Sequence, residues 1–384
     1  MVLTKDMGTE NSLTAVDLFS GGGGLTVGLK KAGFRVVGAV EIDTVAYTTY
    51  KTNHPDVQAF KQDIRFVKGE EILNLAPSGS VDLIAGCPPC QGFSSLTAKY
   101  RKEDPRNSLI KEMTRLIREV RPKAVMVENV PGLARKGYSL LQEFLDELKS
   151  LGYQSSWKVL QVADYGVPQS RRRFVLLAGF HFEIKIPSPT HAREGKNGLI
   201  PWRTVQDAIK SMPEPITLNE AIKRGDPRRF NWHVIRNMTR INRLRLENVK
   251  PGDSRSKLPE DLRPDCHKGK EEGFSNVYGR LAWDKPSVTI TGGCTTLSKG
   301  RFGHPDKNRT ISVREAALLQ TFPPEYFFDT PYMDHACDIV GNALPCDFAE
   351  KLASVVYDAL ERQNDGMAQA RKTQKDHIRG AYPL

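Results

Sequence analysis

Gly86-Cys87-Pro88-Pro89-Cys90-Gln91-Gly92-Phe93-Ser94 follows directly on the apolar run Val81-Asp82-Leu83-Ile84-Ala85. A run of that length and character reads as a buried strand, and the two prolines stiffen its exit. The thiol of Cys90 is thereby expected at the carboxyl edge of a sheet, where open α/β folds bind their ligands. A second run, Val125-Met126-Val127, leads into Glu128-Asn129-Val130-Pro131-Gly132. Neighbouring strands of a parallel sheet lie about 5 Å apart. Glu128 is therefore expected to share a pocket with Cys90, as a proton donor or hydrogen-bond partner.

Outward from these two strands the chain alternates strand and helix. Residues 14–19, 36–40, 57–60, 81–85 and 123–127 read as strands, and residues 25–32 as a helix stopped by Gly33. Leu109, Met113, Leu116, Ile117 and Val120 recur at helical spacing up to Pro122, and Leu140, Leu141, Phe144, Leu145 and Leu148 mark a further helix. Residues 153–162 and 174–180 are expected as a terminal antiparallel pair. The sum is an α/β fold built on a doubly wound, mostly parallel sheet over 1–184. Prolines at 187, 189, 201, 213 and 215 then break the rhythm. Residues 185–310 are expected as a smaller, irregular domain, strongly basic from 223 to 270. Ser312-Val313-Arg314-Glu315 has the spacing of a capping box, and residues 311–361 are expected to return to the sheet, ending in a helix over 344–360. The polar tail 362–384 is expected to fray.

The first strand ends in Phe19-Ser20-Gly21-Gly22-Gly23-Gly24 and opens a helix. Glycines there let a ligand approach the backbone, and the helix N-terminus offers free N–H groups. Glu41 ends the second strand and is placed to accept hydrogen bonds from ribose hydroxyls. Asp63-Ile64 follows the third, where the acid could read an adenine amino group. The set implies an adenosine ligand and leaves open whether it is a nicotinamide dinucleotide or S-adenosylmethionine.

Cys87 and Cys90 form a C-x-x-C. Zinc would need a second pair of ligands, and the only local candidate, Cys266-His267, is not one. A thioredoxin-like dithiol belongs at a helix start in a small domain, not after the fourth strand of a large sheet. No metal is expected. Gln169-Ser170-Arg171-Arg172-Arg173 enters the last strand, and alternation puts Arg171 and Arg173 on one face. Their guanidinium groups could hold a phosphate, a base oxygen or a carboxylate.

The 384 residues carry a net charge of +11, with 39% hydrophobic and 26% charged residues. The excess of positive charge favours a polyanionic partner. Six cysteines do not make a disulfide framework. No apolar run approaches the roughly 20 residues that span a bilayer, and the N-terminus lacks a secretory pattern. An intracellular, cytoplasmic protein with no membrane partner is expected.

Taken in order, these motifs resemble those of the cytosine-C5 DNA methyltransferases of bacterial restriction-modification systems. Asp17-Leu18-Phe19-Ser20-Gly21-Gly22-Gly23-Gly24 is similar to the family's first cofactor motif, and Glu41 and Asp63 to its second and third. Pro88-Pro89-Cys90-Gln91 resembles the catalytic motif, Glu128-Asn129-Val130 the acid motif, and Gln169-x-Arg171-x-Arg173 the paired-arginine motif. Arg280-Leu281 through Pro286-Ser287-Val288-Thr289-Ile290 resembles the ninth motif, and Gly341-Asn342-Ala343-Leu344-Pro345 the last.

The resemblance implies a Rossmann-like methyltransferase sheet and a catalytic set of Cys90, Gln91, Glu128, Asn129, Arg171 and Arg173. It implies an S-adenosylmethionine site from Phe19, Gly21, Gly23, Gly24, Leu25, Glu41, Ile42, Asp63, Ile64, Pro89, Leu109, Asn342 and Ala343. Cys90 would add to C6 of a flipped cytosine so that C5 can take the methyl group. Glu128 would contact N3 and the amino group, Asn129 would hold the loop, and Arg171 would face the cytosine carbonyl oxygen or the thiol. Residues 92–106 would form a basic lid. The domain at 185–310 would recognise double-stranded DNA, with Arg228, Arg229, Arg236, Arg240, Arg243 and Arg245 as phosphate anchors and Asn231, Trp232 and His233 as base contacts. A monomer acting beside a cognate restriction endonuclease in a nucleoid-associated setting is implied. A tRNA cytosine methyltransferase is the alternative.

Overall fold

Seven strands, β1 (Thr14–Leu18), β2 (Arg35–Val40), β3 (Gln58–Phe60), β4 (Leu83–Gly86), β5 (Ala124–Asn129), β6 (Tyr153–Gln161) and β7 (Arg172–Phe180), make one sheet in a computed structural model of the chain. The structure describes residues 12–89, 109–269 and 276–380. The strand order is β3-β2-β1-β4-β5-β7-β6. The first five strands pair in parallel, and β7 runs antiparallel to both β5 and β6. The doubly wound sheet and its terminal antiparallel pair were both legible in the sequence.

Helices on both faces explain why β1, β4 and β5 are buried at every residue and read as unbroken apolar runs. On one face, α1 (Gly24–Lys31) packs with the last helix of the chain. α2 (Thr44–Asn53) shares that face through Tyr47 and Tyr50, and on the other lie α3 (Gly69–Leu73), α4 (Leu109–Val120) and α5 (Tyr138–Ser150). Leu116, Ile117 and Val120 of α4 meet Leu141, Phe144 and Leu148 of α5 in one buried cluster under β4 and β5. The chain leaves β1 toward β2 on one side and reaches β4 on the other. That change of direction opens a crevice at the carboxyl ends of β1 and β4.

Beyond β7 the elements are short: β8 (His191–Ala192), β9 (Ile200–Pro201), α6 (Val205–Ile209), β10 (Ile216–Thr217), α7 (Leu218–Lys223), β11 (Val234–Ile235) and α8 (Arg240–Glu247). Then come α9 (Val313–Leu319), α10 (Met333–Asn342) and α11 (Cys346–Gly380). A third buried cluster joins Val205, Trp232, Leu281 and Phe302 to Ile311, Phe322 and Val340. It therefore runs across residue 310.

The capping box at Ser312 forms as expected: Ser312 Oγ accepts from Glu315 N at 3.0 Å, and Ser312 N donates to Glu315 at 2.6 Å. Helix α11 packs on the sheet through Phe348, Leu352, Ala353 and Val356. It approaches α1 so closely that a Cβ on Gly28 would lie 2.4 Å from Ala349 Cβ. Beyond residue 362, where the tail was expected to fray, α11 continues as helix to Gly380. Its last five turns are rich in Ala, Gln, Lys and Arg, which favour the helix without tertiary support. Among the described residues no helix is long and apolar enough to cross a membrane.

Candidate active site

The crevice between β1 and β4 is floored by the glycine turn. Phe19, Gly21 and Gly23 all have positive φ, at 62°, 53° and 94°. Ser20 N donates to Val40 O at 3.0 Å, which ties the turn to β2. A side chain at Gly23 would strike the Tyr326 hydroxyl and His54, and one at Gly24 would meet Leu344 O at 2.8 Å. The turn is thus pressed between α2 and the C-terminal segment, and only glycine fits. Tyr326 Oη donates to Gly22 O from behind, and His54 Nε2 stands 3.1 Å from the same hydroxyl.

Acids line this end of the sheet. Glu41 accepts from Gly21 N and Asp43 N, each at 2.7 Å, and burial pushes its pKa up. Asp63 caps the 3₁₀ turn Ile64–Phe66 and takes a two-pronged ion pair from Arg65, which holds its carboxyl below the usual range. Asp17, at the end of β1, is fully buried, and burial raises its pKa to about 7. Its Oδ2 accepts from Thr26 Oγ1 at 2.7 Å, while its Oδ1 has no partner.

Ile42 and Phe66 are 62% and 73% exposed beside Glu41 and Asp63, so two apolar side chains stand open where a flat ring could lie. Leu25 and Ile64 are buried, pointing into the two sheet clusters. Pro89, Leu109 and Ala343 are half-buried, and Asn342 is exposed at the end of α10.

The second half of the site forms at β5. Arg173 Nε stands 2.6 Å from Glu128 Oε1, and both side chains are about nine-tenths buried. Burial raises the Glu128 pKa while Arg173 opposes the rise. Asn129 Nδ2 donates to Pro88 O at 2.9 Å, and its Oδ1 accepts from Val130 N at 2.7 Å. One asparagine thus holds the proline loop after β4 against the loop after β5.

Arg171 does not join this pair. Its Nη1 donates to Ile290 O at 2.8 Å and Gly341 O at 3.2 Å. Gln169 accepts from Ile290 N at 2.9 Å and donates to Gln320 Oε1 at 2.6 Å. The same motif thereby splits its work: Arg173 faces the carboxylate, and Arg171 and Gln169 lace the ninth-motif segment to Gly341 in the last turn of α10 and to Gln320. Alternation could not show this, because it assigns a face and not a partner.

Cys90, Gln91 and residues 92–106 lie outside the described residues. Cys87 is described: it follows β4, is half-buried, and stands beside Glu128 at the end of the adjacent strand. This placing and the buried Asp17 were missed in the sequence. The aspartate sits in a motif read for its glycines, and Cys87 was weighed only as a partner for Cys90. Among the described residues no cluster of His, Cys, Asp and Glu could hold a metal ion.

Much of the basic segment expected to meet DNA is engaged with the rest of the fold. Trp232 is a core residue, 1% exposed, with Nε1 donating to Phe328 O, so it cannot read a base edge. His233 is held by Ser312 and Pro213, and Asn231 by Arg314 and Pro324. Arg228 pairs with Asp226 and Asp329, Arg236 with Thr295 and Asp334, and Arg245 bonds Leu262 O and lies over Tyr278. These arginines are spent within the fold. Arg240 and Arg243 of α8 are exposed, as is Arg229.

The family model of C-5 cytosine-specific DNA methylases matches residues 13–358. The Type II methylase M.HgiDII of Herpetosiphon aurantiacus is 37% identical over 352 residues, 90% of this chain and 95% of its own length. The Type II methyltransferase M1.HphI of Haemophilus parahaemolyticus is 34% identical, over 90% of this chain and 87% of its own. Among solved structures, a candidate DNA modification methyltransferase encoded within an E. coli prophage superposes with a TM-score of 0.69 at 24% identity, over 91% of this chain and all of that one. The S. pombe Dnmt2 methyltransferase superposes with a TM-score of 0.57 at 19% identity, over 91% and 99%. At those identities the two structures speak for the fold.

Proposed function

The chain belongs to the C-5 cytosine-specific DNA methylases and is a DNA cytosine methyltransferase of the Type II kind; on that premise we propose that it methylates a cytosine flipped out of a specific duplex sequence, through a transient bond from Cys90 to C6. The observation that carries this reading is the buried Glu128–Arg173 pair at the mouth of β5, one strand away from Pro88-Pro89. A carboxyl group so placed can accept from the amino group of the base and, holding the proton that burial favours, donate to N3, with Arg173 supporting it. Cytosine C5 is a poor nucleophile until a thiolate adds to C6 and makes the ring enamine-like. Extruding the base costs roughly a few kcal/mol, which DNA contacts must offset.

The methyl donor we propose is S-adenosylmethionine, which supplies an electrophilic methyl group on a sulfonium. The residues present fit it. Asp17, Glu41 and Asp63 make the crevice acidic, and Asp17 Oδ1 is buried without a partner. A cation relieves such a site, whereas the pyrophosphate of a nicotinamide dinucleotide would be repelled. Glu41 and Asp63 would take the ribose and adenine, with Ile42 beside the ring. Phe19, Gly21, Gly23, Gly24, Leu25, Ile64, Pro89, Leu109, Asn342 and Ala343 complete the set, several through backbone alone. In the cell the enzyme would act as a cytoplasmic monomer on host DNA, shielding sites from a cognate endonuclease.

Bisulfite sequencing of DNA from expressing cells identifies the modified cytosine. A duplex carrying 5-fluorocytosine at that position should then give a denaturation-resistant conjugate with the wild type and none with Cys90→Ser. Normal turnover by Cys90→Ser would refute the nucleophile assignment.

A further inference from the structure

We infer that Cys87 is a positioning residue for methyl transfer: its thiol donates to the Glu128 carboxyl group beside it and, with Arg173, holds that group where it meets the target base. The inference rests on the reading of Glu128 given above.

Strand register brings the two residues together. β4 and β5 pair in parallel with Gly86 opposite Val127, so Cys87 and Glu128 are the next residues on adjacent strands. Cys87 N donates to Leu18 O, which keeps the chain on the sheet for one more residue. The bond from Asn129 Nδ2 to Pro88 O then locks the following peptide to β5. With both backbones held, the thiol has little choice of position: alternation puts Cys87 and Glu128 on the same face of the sheet, side by side.

The chemistry of the pair follows from the charges around it. Glu128 is faced by Arg173 from β7 and by Cys87 from the loop after β4, and Asp17 at the end of β1 adds negative charge near the thiol. Burial and two neighbouring carboxylates hold the Cys87 thiol well above its ordinary pKa. It is therefore a hydrogen-bond donor and a poor nucleophile. The C-x-x-C thus divides into a donor at Cys87 and the proposed nucleophile at Cys90. A thiol donor favours the charged form of the carboxylate it serves, so losing it raises the Glu128 pKa further.

The test is the pH profile of kcat/KM for Cys87→Ala and Cys87→Ser, alongside 5-fluorocytosine trapping. In Cys87→Ala the limb governed by Glu128 should move to higher pH, with rates at a fixed pH on that limb changing about threefold to tenfold, the size expected for one hydrogen bond. Cys87→Ser keeps a donor and should restore the wild-type limb. Both variants should still form the trapped conjugate, because the nucleophile is elsewhere. An unmoved limb in Cys87→Ala, or a serine variant that behaves like alanine, overturns the inference while trapping stays intact. Loss of trapping in Cys87→Ser also overturns it, since Cys87 would then be the attacking thiol. Failure of the wild type to trap removes the underlying reading of the site, and the inference falls with it.

Discussion

Arg173 Nε lies 2.6 Å from Glu128 Oε1 across the antiparallel β5–β7 pair, and water reaches little of either side chain. Residues two apart in the register meet because both side chains leave the same face of the sheet near its carboxyl edge. Removing one partner strands the other charge in a buried site. Arg173→Ala should lower kcat about a hundredfold or more, with the Glu128 limb moving to higher pH. Single-turnover methylation across pH checks this, and a profile identical to wild type would mean that the pair is structural only.

Arg171 predicts a different phenotype. It donates to carbonyls of Ile290 and Gly341, not to the base pocket. Arg171→Met should leave two buried carbonyls short of a donor and cost about 2–4 kcal/mol of stability. Because Gly341 precedes the proposed cofactor contacts Asn342 and Ala343, S-adenosylmethionine affinity should fall with it. Denaturant melts and calorimetric titration measure the two effects. A fully stable variant with intact cofactor binding would contradict the bracing role.

Asp17 sets a pH dependence of stability. Its pKa is about 7 in the fold against 3.8 for a free aspartate. Below about pH 4 both states hold the proton and the group costs nothing. As pH rises from 4 toward 7 the unfolded chain releases its proton first, so stability falls, by roughly 4 kcal/mol at most. Asp17→Asn removes that penalty while its amide oxygen can still accept from Thr26. The variant should melt higher than wild type at pH 8 and about equally at pH 4. An equal melting difference at both pH values would refute the assignment.

Glu41 offers both carboxylate oxygens to backbone N–H groups, those of Gly21 and Asp43. Glu41→Ala should loosen the glycine turn as well as remove the proposed ribose contact. S-adenosylmethionine Kd should rise about tenfold or more with DNA affinity little changed, as titration with each ligand separately would show. An unchanged cofactor Kd would count against the ribose role.

The arginines of the basic segment fall into two groups. Arg240 and Arg243 are exposed on α8, whereas Arg228, Arg236 and Arg245 are partly exposed and already bonded to other residues of the fold. Replacing Arg240 and Arg243 by Ala should flatten the dependence of log Kd for DNA on log salt by about one unit each. Replacing Arg228 should lower stability and leave that slope alone. Equal slopes for all the variants would mean that α8 does not meet phosphate.

The order of motifs along the chain was enough to establish the sheet, the acids at its edge and the family. Apolar runs of strand length broken by Gly, Pro and acids carry that information locally, since period and turn chemistry act over a few residues. Partners were another matter. Nothing in Gln169-Ser170-Arg171-Arg172-Arg173 says that one arginine meets Glu128 and the other braces Ile290 and Gly341, over a hundred residues away. The basic run at 223–270 read as a DNA-binding face until folding buried Trp232 and paired Arg228 with Asp329. Burial, the unpartnered oxygen of Asp17 and the placing of Cys87 beside Glu128 arise only when distant segments are brought together. Desolvation and pairing are properties of that packing, so tertiary structure alone could decide them.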